Sequence, residues 1–256
     1  MRIGRGGKVA AIVLGLAALA ALALGGGYTH YLGFEPAAER FPVRGIDVSH
    51  HQGAIDWEAL KRARVRFVYM KASEGGDHVD TRFAENWRAA GRVGIARGAY
   101  HFFTLCRPGL AQAHNFMRTV RVDAEAMPPA VDLEFGGNCK RRPEKRAFLR
   151  ELAAFLDTVE RHYGKRPILY VTRRFHDNYL TGALPDHGFW IRSIYFRPDL
   201  PGRPWLFWQF HDRGARDGIK GGVDLNVFRG DWRAFERWRR DGRWRPDTGP
   251  APAGTD

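Results

Sequence analysis

Residues 130–135 read Ala-Val-Asp-Leu-Glu-Phe, a short apolar run that carries two acids, Asp132 and Glu134. The run is bounded by other apolar residues and is typical of a buried β-strand. On a strand, residues two positions apart point to the same face, roughly 6.7 Å apart along the chain. We therefore expect both carboxylates on one face, with Leu133 packing on the other.

The rest of the chain alternates similar runs with amphipathic stretches. The strand-like runs are residues 43–48, 66–72, 95–103, 130–135, 167–172, 189–195, 205–210 and 223–225. The helix-like stretches are residues 56–63, 81–90, 109–120, 143–163 and 231–240. Strands that alternate with helices imply parallel β-α units, and eight strands indicate a barrel. The last three strands lie too close for ordinary helices between them. The sequence therefore predicts an α/β fold, an irregular TIM-like β/α barrel with about five β-α units and a strand-rich closing side.

Acids recur where these strands end. Asp47 lies in the first run, Asp132 and Glu134 in the fourth, and Asp224 in the eighth. Each has apolar neighbours, among which an unpartnered carboxylate is costly to bury. Any one of them alone would be explained by a salt bridge or a helix cap. Because reactive residues of parallel barrels lie at the carboxyl ends of strands, four acids at one mouth indicate a catalytic site.

The Asp-Leu-Glu spacing also has chemical content. Two nearby carboxylates repel, so one pKa rises and that group keeps its proton near neutral pH. A protonated acid beside an ionised carboxylate is the requirement for cleaving a glycosidic bond. The acid protonates the leaving oxygen, and the anion stabilises or attacks the anomeric carbon.

Aromatic side chains near the strand ends favour a sugar as the ligand, because sugar rings stack their apolar faces on aromatic rings. About half of these residues are expected to be core. The candidate sugar contacts are Tyr100, Phe102, Tyr170, Trp190, Tyr195, Trp208 and Gln209.

Other chemistries find little support in the sequence. His50 and His51 are adjacent and are expected to point in opposite directions, so we predict no metal site and no cofactor. No Gly-x-Ser-x-Gly nucleophile motif is present. The net charge of +13 favours an acidic partner such as cell wall or an anionic membrane surface, or it marks a solvated surface. No nucleic-acid-binding signature stands out, so we predict no nucleic-acid partner.

The ends of the chain are predicted to lie outside the catalytic domain. Residues 1–27 place basic residues before an apolar stretch, the pattern of a cleaved export signal or of an uncleaved anchor in the inner membrane. Residues 28–42 are interpreted as a linker, 43–240 as the barrel and 241–256 as a disordered tail. The barrel is expected to lie outside the cytoplasm, either secreted or membrane-anchored and facing the periplasm or cell exterior.

Several motifs together resemble the Chalaropsis-type lysozymes of glycoside hydrolase family 25. The matching segments are Gly-Ile-Asp-Val-Ser-His-His-Gln-Gly (45–53), Ile-Asp-Trp (55–57), Tyr-Met-Lys-Ala-Ser-Glu-Gly (69–75), Gly-Ala-Tyr-His-Phe (98–102), Val-Asp-Leu-Glu (131–134), Trp-Leu-Phe-Trp-Gln-Phe (205–210) and Val-Asp-Leu-Asn (223–226). They occur in the family's order and span nearly all of the predicted barrel.

This resemblance implies a flattened barrel and N-acetylmuramidase activity, the hydrolysis of the β-1,4 bond between N-acetylmuramic acid and N-acetylglucosamine in peptidoglycan. By similarity, Glu134 is the general acid/base, and Asp132 is the nucleophile or the stabiliser of an oxazolinium ring. Asp47 and Asp224 would orient the pair and tune its charge. The alternative is a peptidoglycan-binding barrel without turnover, and an amidase or peptidase is a third hypothesis. His51 and Arg192 depart from the family pattern at the rim of the site.

The predicted strand order suggests where the two cysteines lie. Cys106 follows the third strand and Cys139 follows the fourth. Because these strands should be neighbours, their loops are expected close together, and export permits a disulfide. We predict a Cys106–Cys139 bridge, with two free buried thiols as the alternative.

Overall fold

The structure is a computed structural model that describes residues 5–194, 196–200 and 204–244. It consists of two compact units, Met1–Glu35 and Pro36–Asp256. The described part of the first unit is dominated by helix α1 (Arg5–Gly33), whose Ala- and Leu-rich sequence has high helix propensity. The predicted linker at residues 28–42 is therefore helical up to Gly33, because the helix propagates through three glycines.

Within the described residues, no helix combines the length and apolar composition needed to cross a bilayer. The membrane-anchor alternative gains no support from the structure, and the export signal stays a prediction.

The second unit is built on a sheet of nine strands. They are β1 (Arg44–Val48), β2 (Phe67–Glu74), β3 (His78–Val79), β4 (Ala96–Phe102), β5 (Ala130–Leu133), β6 (Ile168–Thr172), β7 (Phe189–Arg192), β8 (Trp205–Gly214) and β9 (Val223–Phe228). Their order is β1-β9-β8-β7-β6-β5-β4-β2-β3, and an additional pairing of β1 with β2 closes eight of them into a barrel. The short strand β3, which the sequence did not predict, pairs only with β2.

Strand direction departs from an all-parallel barrel at one position. Pairings from β1 through β2 and β4 to β8 are parallel. Strand β9 is antiparallel to both β8 and β1. The eighth predicted strand therefore closes the barrel in the opposite direction, which decides where Asp224 lies.

Helices surround this barrel unevenly. They are α2 (Trp57–Arg62), α3 (Phe83–Arg92), α4 (Gly109–Thr119), α5 (Lys145–Tyr163), α6 (Arg173–Phe175) and α7 (Trp232–Asp241), with a 3₁₀ turn at His50–Gln52. Helix α6, which the sequence did not predict, continues as a π-helix over His176–Leu180. No helix separates β7, β8 and β9 in the described residues. The predicted irregular barrel with about five β-α units and a strand-rich closing side is confirmed.

Helix α5 shows how the sequence sets these elements. Its residues Phe148, Leu152, Phe155, Leu156 and Val159 are buried at helical spacing, so one face packs on the barrel. The helix ends at Gly164, which adopts a left-handed conformation with φ 67° that favours glycine.

The core fills the barrel and extends to α7. Phe67 of β2 and Phe207 of β8 belong to strands that are not neighbours in the sheet, yet their ring centroids are 5.0 Å apart. Phe235 and Trp238 of α7 pack against the same cluster. Since Phe67 begins β2, helix α7 closes the mouth at the amino ends of the parallel strands. Trp244 also packs on this core, so the predicted tail at 241–256 starts too early, and its residues from 245 onward lie outside those described.

Candidate active site

The opposite mouth, at the carboxyl ends of the parallel strands, brings the four acids together. Asp47 lies near the end of β1, Asp132 near the end of β5, and Glu134 directly after β5. Asp224 is the second residue of β9 and so lies at the amino end of its strand. It reaches the same mouth because β9 runs antiparallel and pairs Asp224 with Asp47. The expectation that Asp224 ends a parallel strand is therefore wrong, although its convergence with the other acids is confirmed.

Asp132 is more buried than Glu134, the other acid of the Asp-Leu-Glu segment. It is 8% exposed, while Leu133 on the other face of β5 is fully buried. Its Oδ1 has no hydrogen-bond partner among the described residues. Burial raises the pKa of Asp132 well above its ordinary value, and the negative charges of Glu134 and Asp47 add to this rise. The site therefore presents a buried carboxyl oxygen that is free to contact a ligand.

Glu134 is half-buried and lies between charges of both signs. Burial is the largest cause of its raised pKa, and Asp47 contributes in the same direction. Arg192 and Lys71 oppose this rise. A carboxyl with these surroundings keeps its proton to a higher pH than an exposed glutamate does. A raised pKa suits a general acid. The spacing of the two acids predicted that one pKa rises, whereas the pKa values of both Asp132 and Glu134 are raised, and that of Asp132 is raised more strongly.

Asp47 is held by a set of buried polar side chains. Its Oδ2 accepts hydrogen bonds from Asn226 Nδ2 at 2.7 Å and from Gln209 Nε2 at 3.0 Å. Asp224 forms a further side-chain hydrogen bond with Asp47. Burial raises the pKa of Asp224 to about 10, and the charge of Asp47 adds to the effect. Burial raises the pKa of Asp47 as well, but the hydrogen bonds with Asn226, Gln209 and Asp224 oppose that rise. We therefore assign the shared proton to Asp224, which donates to Asp47.

A second layer of hydrogen bonds orients the amides that hold Asp47. Trp190 Nε1 donates to Asn226 Oδ1 at 2.7 Å, and Tyr170 Oη donates to Gln209 Oε1 at 3.0 Å. These bonds leave the amide NH₂ groups directed at Asp47. The network extends from the site into the core, where Trp190 packs on Tyr69 and Tyr170 with ring centroids 5.0 and 4.9 Å apart.

Two basic residues complete the electrostatics of the mouth. Lys71 Nζ is 2.6 Å from Glu74 Oε2 and lies over the ring of Phe102. Arg192 Nη2 is 2.5 Å from Asp212 Oδ2. Sequence reasoning did not assign Lys71, Glu74 or Asn226 to the site. The signal that could have found them is their position, since each lies in a motif that also carries the resemblance to the family.

The residues predicted to contact sugar differ in where the structure places them relative to the four acids. Tyr100 is half-buried, and Asp47, Asp132 and Asp224 all raise its pKa, after burial as the main cause. Phe102 and Tyr170 flank Asp132 as its partners in β4 and β6. Gln209 is buried and bonds Asp47, so it supports an acid. Tyr195 lies outside the described residues.

The two tryptophans of the prediction are not placed as sugar contacts. Trp190 is 2% exposed and lies in the core cluster. Trp208 alternates with Gln209 along β8, so its ring lies on the opposite face, near Phe41 and Phe210. Its Nε1 donates to Ser193 O at 2.6 Å. The burial of both rings gives the two sugar-contact predictions no support, since the aromatic content of a strand end does not show which face a ring occupies.

His50 and His51 also differ from expectation. They lie in the 3₁₀ turn after β1, where their rings lie beside each other, tilted by 39° with centroids 4.0 Å apart, instead of pointing in opposite directions. His50 Nδ1 is 2.8 Å from Asp80 Oδ2. Among the described residues, no group of three or more His, Cys, Asp or Glu side chains is arranged to hold a metal ion.

The predicted disulfide is confirmed. Cys106 and Cys139 are bridged, with their Cα atoms 6.3 Å apart. The bridge joins the loops that follow β4 and β5, directly beside the mouth that holds Asp132 and Glu134.

Comparison with known proteins agrees with this fold and places the chain among the glycoside hydrolases. The chain belongs to glycosyl hydrolases family 25, which it matches over residues 46–219. It is 36% identical over 216 residues to the uncharacterized protein YegX of Escherichia coli K12, covering 79% of this chain and 78% of that protein. It is 33% identical over 213 residues to lysozyme M1 of Streptomyces globisporus, covering 75% and 70%. The structure of a family 25 glycosyl hydrolase from Bacillus anthracis superimposes with a TM-score of 0.76 at 38% identity, covering 80% of this chain and 96% of that one.

Proposed function

We propose that this glycoside hydrolase is a muramidase. Its substrate would be the β-1,4 bond between N-acetylmuramic acid and N-acetylglucosamine in peptidoglycan. The observation that carries the proposal is the pair Asp132 and Glu134 at the mouth of a family 25 barrel, with a raised pKa of Glu134 and an unpartnered Asp132 Oδ1. The similarity to lysozyme M1 supports the choice of substrate.

In the proposed first step, Glu134 donates its proton to the glycosidic oxygen as the bond to the anomeric carbon breaks. The electron pair of that bond passes to the leaving oxygen, which departs as a hydroxyl group. The raised pKa of Glu134 supports this role, because a carboxyl that keeps its proton to a higher pH is better suited to act as the acid. In the second step, Glu134 accepts a proton from the attacking water.

Asp132 faces the developing positive charge in either of two ways. Its carboxylate attacks the anomeric carbon, or it accepts a hydrogen bond from the acetamido N–H of the substrate while the acetamido oxygen attacks. The free Oδ1 of Asp132 suits both routes. Both require Asp132 in its ionised form, against the rise in its pKa that burial and the charges of Glu134 and Asp47 cause. The positive charge that develops on the sugar opposes this rise and favours the carboxylate. Both routes proceed by two successive displacements at the anomeric carbon, first of the leaving group and then, by water, of the oxygen that replaced it. They therefore retain the configuration at that carbon.

Asp47 and Asp224 would act through the other two acids. The charge of Asp47 raises the pKa of both Asp132 and Glu134. Asp224 donates its proton in the hydrogen bond with Asp47, so the two carboxyl groups together carry a single negative charge. We place both as positioning residues.

Action on peptidoglycan would require export from the cytoplasm, which the basic and apolar pattern of residues 1–27 favours. The Cys106–Cys139 bridge is compatible with an oxidising compartment. Peptidoglycan strands are the proposed partner.

The test is the identity of the products. Purified full-length protein is incubated with peptidoglycan, and new reducing ends are reduced with borohydride and identified by mass spectrometry. Muramic acid at the new ends supports the proposal. Glucosamine ends would assign the other glycosidic bond, released peptides would indicate an amidase or peptidase, and binding without new ends would indicate a non-catalytic barrel.

A further inference from the structure

A cleft outside the acid site lies at the same mouth of the barrel. Its volume is about 370 Å³, and it lies between the loop after β4 and the first turns of α5. Arg107, Arg141 and Arg150 line it, together with Thr104 and Glu151. We call it the arginine cleft. It is close to the catalytic pair in the fold because the loops that form it leave the carboxyl ends of β4 and β5.

The arginines of the cleft form no ion pairs among the described residues, and they outnumber the one acid in its lining, Glu151. Within the described part of the chain, the side chains of Arg107, Arg141 and Arg150 form neither ion pairs nor hydrogen bonds. Other arginines of the barrel are paired, as Arg97 is with Asp123 and Arg166 is with Glu160. The acid in the lining, Glu151, accepts a hydrogen bond from Gly109 N at 2.7 Å. Like charges that are held together without partners favour an anionic ligand.

The helix starts beside the cleft already have acids close to them. Gly109 N at the start of helix α4 donates to Glu151 Oε2 at 2.7 Å, and helix α5 begins after Glu144. The basic character of the cleft therefore comes from its three arginines and not from the helix ends. Thr104 Oγ1, which also lines the cleft, is buried and has no hydrogen-bond partner among the described residues.

The arginine cleft is fixed relative to Glu134. Asn138 Nδ2 donates to Glu134 O at 3.0 Å and to Phe103 O at 2.9 Å, and Asn138 Oδ1 accepts from Leu105 N at 2.9 Å. The Cys106–Cys139 bridge joins the same two loops. The loops that line the cleft are therefore tied to the chain at Glu134.

We propose that the arginine cleft binds the carboxylates of the peptide stem that the glycan strand carries, so that the enzyme prefers stem-bearing strands over bare ones. This inference rests on the proposed function. Muramic acid residues carry short peptides that end in carboxylates, and a four-residue stem extends up to about 14 Å from its sugar. The planar fork of an arginine matches a carboxylate with two parallel hydrogen bonds.

The test compares two substrates and three variants of the full-length chain. The substrates are peptidoglycan strands with stems and the same strands after an amidase has removed the stems, both stripped of phosphate polymers. One variant combines R107Q, R141Q and R150Q, and a second places lysine at the same positions. The matched control combines R233Q, R237Q and R240Q, which removes three charges from exposed positions of α7 at the other mouth.

The glutamine variant should lose about tenfold in kcat/KM on stem-bearing strands, because each exposed charge pair contributes a factor of about two to five. Its kcat/KM on bare strands should not change. The lysine variant should recover part of the loss, and the α7 control should behave as the wild type on both substrates.

Several results would overturn the inference. The first two are an equal loss on both substrates and no loss on either. The third is a loss seen only with walls that retain phosphate polymers, a result that would assign the cleft to those polymers. Titration calorimetry with the free stem tetrapeptide tests the cleft without hydrolysis, and binding that is equal in wild type and glutamine variant contradicts it. If the wild type releases no muramic acid ends from either substrate while the tetrapeptide still binds in the cleft, only the proposed function fails.

Discussion

Asp47 and Asp224 lie opposite each other as antiparallel partners across β1 and β9, and their carboxyl groups share a hydrogen bond. Asp224 holds the proton, because burial and the charge of Asp47 raise its pKa to about 10. Asp47 keeps the negative charge, since the amides of Asn226 and Gln209 also donate to it. That charge raises the pKa of Glu134 and so helps the proposed general acid retain its proton.

The first prediction concerns the proton of Asp224. In Asp224→Asn, the amide NH₂ group can donate to Asp47 as the protonated carboxyl does, so kcat/KM at neutral pH should stay within about threefold of wild type. Asp224→Leu removes the donor from a buried acceptor, a change of about 1–3 kcal/mol, and should lower kcat/KM at least about tenfold. Steady-state kinetics on peptidoglycan checks both variants. Equal losses in the two would show that Asp224 must be ionised.

The same proton predicts how stability depends on pH. Because the pKa of Asp224 in the folded state is raised to about 10, the folded chain keeps a proton that the unfolded chain releases above about pH 4. The contribution of this group to stability is complete below pH 4 and is lost as pH rises towards 10, with a slope of up to about 1.4 kcal/mol per pH unit. Urea unfolding at pH 5, 7 and 9 should show Asp224→Asn gaining stability relative to wild type as pH rises. Parallel curves for the two proteins would contradict this assignment.

Trp190 is predicted to position Asn226 and not to bind sugar. Trp190→Phe keeps the ring in the core but leaves buried Asn226 Oδ1 without its donor, which should cost about 1–3 kcal/mol in the free energy of unfolding. Because Asn226 then orients less well towards Asp47, kcat should fall while KM stays constant.

Trp208→Phe is the matched control, since it removes a comparable hydrogen bond on the other face of β8. It should lower stability similarly and leave kcat unchanged. A rise in KM for Trp190→Phe with constant kcat would instead support a sugar contact.

The disulfide is predicted to stabilise the loops at the mouth. The bridge joins residues 33 positions apart, and removing it in Cys106→Ser/Cys139→Ser should cost about 2–4 kcal/mol, chiefly by freeing the unfolded chain. Guanidinium unfolding measures the change. Wild type with reductant should unfold like the double variant, and reductant should not affect the double variant. Equal stability of oxidised wild type and double variant would argue against this contribution.

Much of the barrel was predictable because its strands and helices differ in periodicity. The helical spacing of Phe148, Leu152 and Phe155 identified α5, and the alternation in residues 130–135 placed Asp132 and Leu133 on opposite faces. Strand direction was not predictable in the same way, because alternation has no polarity. The antiparallel course of β9 and the position of Asp224 at its amino end therefore emerged only from the pairing.

The site was less predictable where side-chain direction depends on a turn or on long-range contacts. The rings of His50 and His51 lie beside each other because both residues occupy a 3₁₀ turn, in which successive residues do not alternate as they do on a strand. The hydrogen bond from Trp190 to Asn226 joins residues 36 positions apart, and the local sequence pattern around either residue does not predict it.

The central claim is that Glu134 donates the proton to the leaving group, and a substrate that does not need this proton tests it most directly. Glu134→Gln would be compared with wild type on peptidoglycan and on a muramoyl substrate with a dinitrophenol leaving group. The exposed control Glu58→Gln accompanies it. We predict a loss of about 10²–10⁴-fold on peptidoglycan, with bond cleavage in the activated substrate nearly unchanged. A comparable loss on both substrates, or none on peptidoglycan, would contradict the account.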